Sequence, residues 1–120
     1  VKLPGPDHPI TVEPESRRVR VVVAGAAVAE TRNALRLQEA QYPPVFYVPR
    51  SDIRADCFVA SARTSHCPYK GDAHYFDLVV DGDRRPDAVW SYGDPYPAVA
   101  AIRDHVAFYP DRVDAIVLED

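Results

Sequence analysis

The sequence predicts a small antiparallel β protein carrying one short helix. Three observations point there. Twelve prolines spread through 120 residues leave no room for a long helix. Short runs rich in β-branched and aromatic residues, such as "RVRVVV", "VFYV" and "HYFDLVV", recur between turn formers. An Asp-Gly pair, Asp81-Gly82, separates two of these runs, as in a tight hairpin. The length fits one domain spanning residues 1–120, and 47% apolar residues can fill one moderate core without an obligatory metal.

In chain order, Ile10 to Glu13 and Arg18 to Val23 read as a hairpin around a polar turn. Ala26 to Thr31 and Ala34 to Glu39 suit two strands or one weak helix, and their strand-like neighbours favour strands. "PPVFYVPR" is bounded by prolines, which places it at a sheet edge or makes it a strand that enters the sheet late. "RSDIRADC" reads as a turn or single helical turn, and "FVASA" as a brief strand after it. Ala73 to Val80 and Asp87 to Tyr92 form the clearest hairpin. Alternation puts His74, Phe76, Leu78 and Val80 on one face and Tyr75, Asp77 and Val79 on the other, while Trp90 and Tyr92 share a face of the partner strand. Pro97 opens a short helix through about Asp104. The remaining "VAFYP" and "DAIVLED" read as extended.

Fourteen basic against eighteen acidic residues give a net charge of -4, with no Lys/Arg-rich run to follow a phosphate backbone. Nucleic acid is therefore not an expected partner. Most of the acidity falls in the second half, from Asp81 to Asp87 and near the C-terminus, where it serves as solubilising surface. The longest apolar run, Val21 to Ala29, is too short to cross a bilayer, so no membrane partner is expected. No n-region and apolar h-region of a secretory signal is present. The two cysteines, Cys57 and Cys67, are expected to be reduced thiols in a cytoplasmic protein.

The stretch "RTSHCPYKGDAHYF", Arg63 to Phe76, concentrates the reactive side chains. Pro68 biases Cys67 toward an extended backbone, and Gly71 is free to take positive φ, so Tyr69 and Lys70 sit on a short corner. Cys67 becomes a nucleophile if Lys70 or a histidine lowers its thiol pKa; otherwise it is a small buried hydrophobe. Lys70 can hold a phosphate or carboxylate as a point charge, or simply keep the loop soluble. The glycine-rich run of a phosphate-binding loop is absent. His66 and His74 can exchange protons near neutral pH, although the strand pattern equally allows His74 to pack beside Phe76. The catalytic candidates are Cys67, Lys70 and His74, with no reaction assigned to them. Cys57, His66, Cys67 and His74 supply four potential zinc ligands but lack the paired spacing of common zinc sites, so no metal is expected.

Outside this stretch, Trp90 and Tyr92 either flank a planar ligand or fill the core. Arg50, after Pro49, is placed to grip a carboxylate or phosphate, or to pair locally with Asp52 or Asp56.

Several ordered motifs carry a family resemblance. They are Arg32 and Asn33 before "LRLQEA", then "PPVFYVPR", "TSHCPYKGDAHYF", "AVWSYGDPYP" and "VAFYPDRVD", spanning roughly Glu30 to Asp114. The chain resembles a small bacterial family catalogued as a domain of unknown function and labelled nucleotidyltransferase-like, with Cys-Pro-Tyr-Lys-Gly and Trp-Ser-Tyr motifs. The resemblance implies a β-tent-like architecture, two antiparallel sheets at a steep angle, as in some zinc proteins and the cereblon ligand-binding domain. It places Thr64, Cys67, Pro68, Tyr69, Lys70 and Gly71 on one matched motif and Trp90, Ser91 and Tyr92 on another. The paired cysteines with which many β-tent relatives hold zinc are missing, so metal binding is not carried over.

The leading expectation is a cytoplasmic domain that binds a small anionic or carbonyl-bearing ligand, without a cofactor, in an aromatic-lined groove. Cys67, Tyr69, Lys70, Trp90 and Tyr92 frame that groove, with Arg50 and Thr64 as further contacts. One alternative is a nucleotidyltransferase-like or other small-molecule enzyme, although polymerase-like transfer ordinarily needs clustered carboxylates that hold divalent metals. A second is a structural or protein-interaction module, for which an edge strand would offer a homodimer surface.

Overall fold

A computed structural model describes residues 1–120. The chain forms ten strands: β1 (Ile10–Pro14), β2 (Arg18–Val23), β3 (Ala26–Thr31), β4 (Leu35–Glu39), β5 (Val45–Pro49), β6 (Phe58–Cys67), β7 (Gly71–Val80), β8 (Asp83–Tyr92), β9 (His105–Phe108) and β10 (Ala115–Glu119). They build two antiparallel sheets, one ordered β1-β4-β5-β9-β8-β7-β6 and the other β10-β2-β3. The expected mainly β class is what the chain adopts. Helical backbone is confined to three 3-10 turns, at Arg50–Asp52, Ala55–Cys57 and Pro97–Ile102. The last lies where a short helix from Pro97 was expected, and it kinks at Val99, whose φ of -125° is not helical.

Several expectations need correction. β1 and β2 are not a hairpin: β1 pairs with β4, whereas β2 pairs with β3 and β10. The polar segment between them is a crossover from one sheet to the other. There the Glu15 carboxylate accepts bonds from the Arg17 backbone N and guanidinium, each at 3.0 Å, while the Glu15 backbone N donates to Ala34 O at 2.8 Å. The true hairpin joins β2 to β3 through Ala24 and Gly25, both at positive φ. Nor is β5 an edge strand, since it runs between β4 and β9. Pro49 is accommodated at its end, beside the short pairing of Val48 with Val106 and Pro49 with His105. The "FVASA" strand continues as β6 to Cys67, so the reactive stretch is mostly strand, with only Pro68 to Lys70 left as loop.

β7 and β8 are longer than expected because the hairpin resumes past an irregularity. Asp81 and Gly82 make the tight turn, both at positive φ, and pairing shifts between Phe76 and Leu78. The extra residues around Pro86 and Asp87 bulge out, with Asp87 at φ 49° and its backbone N donating to Asp77 Oδ1 at 2.8 Å.

Strict alternation gives the seven-stranded sheet two chemically different faces. One face contributes Val48, Leu78, Val89, Val106 and Phe108 to a core of 15 buried residues, completed by Val19, Val21, Val23 and Val28 of the small sheet. The other contributes Leu37, Tyr47, Ala73, Tyr75, Tyr92 and Ala107 to a core of eight, covered by Val99 and Ile102 of the Pro97–Ile102 turn. The first is aliphatic with phenylalanines at its margin and is closed except beside Phe46 and Phe108; the second is rich in phenol rings and incompletely covered.

Candidate functional site

The incompletely covered face holds a pocket of about 400 Å³. Leu37 and Tyr47 rise from β4 and β5, Tyr75 from β7, Trp90 and Tyr92 from β8, and Tyr109 follows β9. Glu39 and Lys70 supply the charged part of the wall, and Tyr42 and Pro43 stand at the margin.

Backbone geometry fixes Lys70. Gly71 has φ +114°, and a Cβ placed there would stand 3.3 Å from Asp94 O, so only glycine lets the corner lie this close to the following loop. Lys70 O accepts a bond from Tyr96 N at 3.0 Å, and Pro68 O accepts one from Lys2 N at 2.7 Å. The Lys70 side chain, itself buried, reaches back to donate to Glu39 Oε1. The second Glu39 oxygen lies 2.8 Å from His8 Nε2, and the His8 ring stacks on Tyr69 with centroids 4.1 Å apart. Burial pushes the Glu39 carboxyl up, but hydrogen bonds from Lys70 and His8 more than offset it, leaving its pKa below the ordinary value. Lys70 is consequently a paired cation with one of its three donors committed.

The aromatic walls interlock. Trp90 Nε1 donates to Tyr47 Oη at 3.2 Å, and the Trp90 ring lies 4.5 Å from that of Tyr109. Tyr75 shares a hydrogen bond with Ser65 Oγ at 2.8 Å. The guanidinium carbons of Arg63 and Arg112 lie 4.5 Å and 4.9 Å from the ring centres of Tyr75 and Tyr109. Burial pushes the Tyr47 and Tyr92 phenols well above their usual range, and Tyr109 up to about 12. All three phenols are therefore neutral O–H donors at physiological pH.

Tyr92 differs from Tyr47 and Tyr75. Its hydroxyl makes no hydrogen bond within the protein, and it is not sealed, since the only fully buried side-chain polar atom without a partner is Arg18 Nε. An unmatched donor thus shares the pocket wall with an ammonium that retains two free protons.

Of the residues picked from sequence, Lys70, Trp90 and Tyr92 line this one pocket. Cys67 packs against the same core from outside the lining, and Tyr69 is occupied with His8. Thr64 lies elsewhere, in an exposed depression with Ser65, His66, Asp72 and His74. Arg50 serves the opposite side of the sheet, donating to Ser91 Oγ at 3.1 Å and lying over the Phe76 ring. His74 is exposed and does not pack as a core residue beside Phe76, whereas His66 Nδ1 stands 2.7 Å from Asp72 Oδ1. Cys57 is buried in the aliphatic core, apart from Cys67, His66 and His74. No three His, Cys, Asp or Glu side chains converge on a common metal position. No helix is long and apolar enough to cross a membrane.

Sequence reasoning missed Glu39 and Tyr47, whereas Tyr75 and Tyr109, open from sequence to the same ligand-flanking or core-filling reading as Trp90, line the pocket. A signal for Glu39 existed: Leu35, Leu37 and Glu39 alternate along β4, which puts a carboxylate in line with two apolar side chains.

A family model described as "Domain of unknown function (DUF427)" matches residues 11–119, and its short label carries the nucleotidyltransferase tag. No curated protein matches the chain.

Proposed function

We propose that this chain, which belongs to the DUF427 family, binds a small carbonyl-bearing or anionic ligand in the pocket between Lys70 and Trp90. The observation that carries the reading is that the unmatched Tyr92 hydroxyl and the Lys70 ammonium line the same pocket, whose wall is rich in rings. The Tyr92 hydroxyl has no acceptor within the protein and is open to solvent, so a ligand oxygen could take that place without displacing an internal bond. The pocket volume of about 400 Å³ falls in the range of small-molecule sites.

Between the two chemistries, the ion pair favours the neutral one. Glu39 already balances Lys70, so a full negative charge would also meet the Glu39 carboxylate. A planar amide or ketone places its oxygen on the two donors and its flat part against Trp90 and Tyr109. Both cysteines are free, which supports a reducing, cytoplasmic setting.

The test is binding of benzamide and benzoate, followed through the emission of the single tryptophan and by calorimetry. Benzamide is expected to bind more tightly than benzoate, and Tyr92→Phe to weaken it about tenfold, by loss of one hydrogen bond. Equal responses from wild type and from a Tyr92→Phe, Lys70→Met double variant would remove the site. The nucleotidyltransferase tag of the family supplies a second reading. Its check is magnesium-dependent incorporation from labelled nucleoside triphosphates, lost on Lys70→Met without loss of folding.

A further inference from the structure

We infer that the ligand is amphiphilic, with an apolar arm that leaves the polar pocket between β5 and β9 and occupies a second cleft; the inference rests on the binding role proposed above. β5 and β9 pair through two residue pairs only, Val48 with Val106 and Pro49 with His105. Beyond them β5 continues toward Val45 against β4 alone, while Phe108 of β9 stays paired with Val89 of β8. The large sheet therefore forks, and side chains rather than backbone define the opening.

A cleft of about 270 Å³ occupies this region. Pro44, Phe46, Phe108, Pro110 and Ile116 face it, and no charged residue lines it. Tyr42, Pro43, Val45 and Trp90 line this cleft and the polar pocket alike, so the two spaces, on opposite faces of the sheet, share a wall at the fork. Tyr42 is 62% exposed, which is unusual for a large ring in this chain and leaves that shared wall open to solvent. The polar end matches a carbonyl, whereas the cleft offers a substituent nothing but hydrocarbon and ring surface. An alkyl or aryl arm gains from burial there; a second polar group would lose its water without replacement.

The experiment compares benzamide with 4-methyl- through 4-butylbenzamide, reading Trp90 emission and calorimetric affinity. Affinity is expected to rise about fourfold per methylene as the chain lengthens. Pro44→Glu, at an exposed position, and Ile116→Asn are each expected to flatten that rise while leaving the affinity for benzamide itself unchanged. If benzamide binds and the series is flat in wild type, or rises equally in both variants, the amphiphilic ligand is overturned and the binding role stands. If no member of the series binds, both fall. A concentration-dependent change in Trp90 emission without ligand, matched by a dimer in sedimentation, would assign the cleft to a second copy and also overturn the inference.

Discussion

The two faces of the large sheet are made by the same strands, yet they have been given opposite tasks. On β8, Val89 turns into a valine-rich core while Trp90 and Tyr92 turn toward an open pocket; on β5, Val48 and Tyr47 divide in the same way. Valines on one side fill space completely and carry no polar atoms, which suits a face whose sole demand is exclusion of water. Phenols and indole on the other side bury area but bring hydroxyls that need acceptors. Where the protein supplies an acceptor, as for Trp90 on Tyr47, the polar atom is committed and only the ring face is offered; where it supplies none, as for Tyr92, the hydroxyl remains available.

Substitutions can break this division. The largest effect is expected from Leu78→Ala in the valine-rich core, which should cost about 2–5 kcal/mol in urea unfolding with benzamide affinity unchanged in the folded fraction. Next is Gly71→Ala, expected to cost about 1–3 kcal/mol because φ is positive and the Asp94 carbonyl is close. Unlike Leu78→Ala, it should also weaken benzamide binding, since it moves the corner that holds Lys70. Lys70→Met follows, at about 1–2 kcal/mol, because it leaves Glu39 partly buried with His8 alone. The Glu39 carboxyl pKa, read by NMR titration, should rise in that variant.

Acid should reach both regions through carboxylates. Glu15, in the crossover to the small sheet, is lowered by the Arg17 bonds from 4.5 to about 2. A lowered folded pKa means that Glu15 contributes stability above 4.5 and loses it as pH falls toward about 2. Glu39 is also lowered, so its contribution has the same sign and disappears on acidification. Glu15→Gln and Glu39→Gln are each expected to flatten the dependence of unfolding free energy on pH in the acid range, and only Glu39→Gln should alter benzamide binding. The smallest stability effect belongs to Tyr92→Phe, within about 0.5 kcal/mol, since no internal bond is lost. A larger loss would mean that the hydroxyl has a structural partner and would blur the contrast between the faces.

What the sequence disclosed follows the same division. Strand positions were legible because β-branched runs and the Asp81-Gly82 turn are local signals, and the long β7–β8 hairpin was recognisable from them. Pairing was less so. Pro-Glu-Ser resembles a hairpin turn, but Glu15 closes on Arg17 and sends the chain to another sheet; Ala24 at positive φ is an uncommon turn former and hid the real hairpin. Lys70, Trp90 and Tyr92 were legible as a group through composition. Their neighbours were not, because Glu39 and Tyr47 reach the pocket by long-range pairing of β4 with β5, which no short window contains.

The two-pair junction of β5 with β9 has a consequence for how such a molecule changes over generations. Because few main-chain bonds tie the two parts of the sheet there, replacing the rings at positions 42, 47 and 90 would resize the crevice while leaving most of the ladder hydrogen bonds in place. Ligand preference could thus change by substitution at these rings while the valine layer behind them is left untouched.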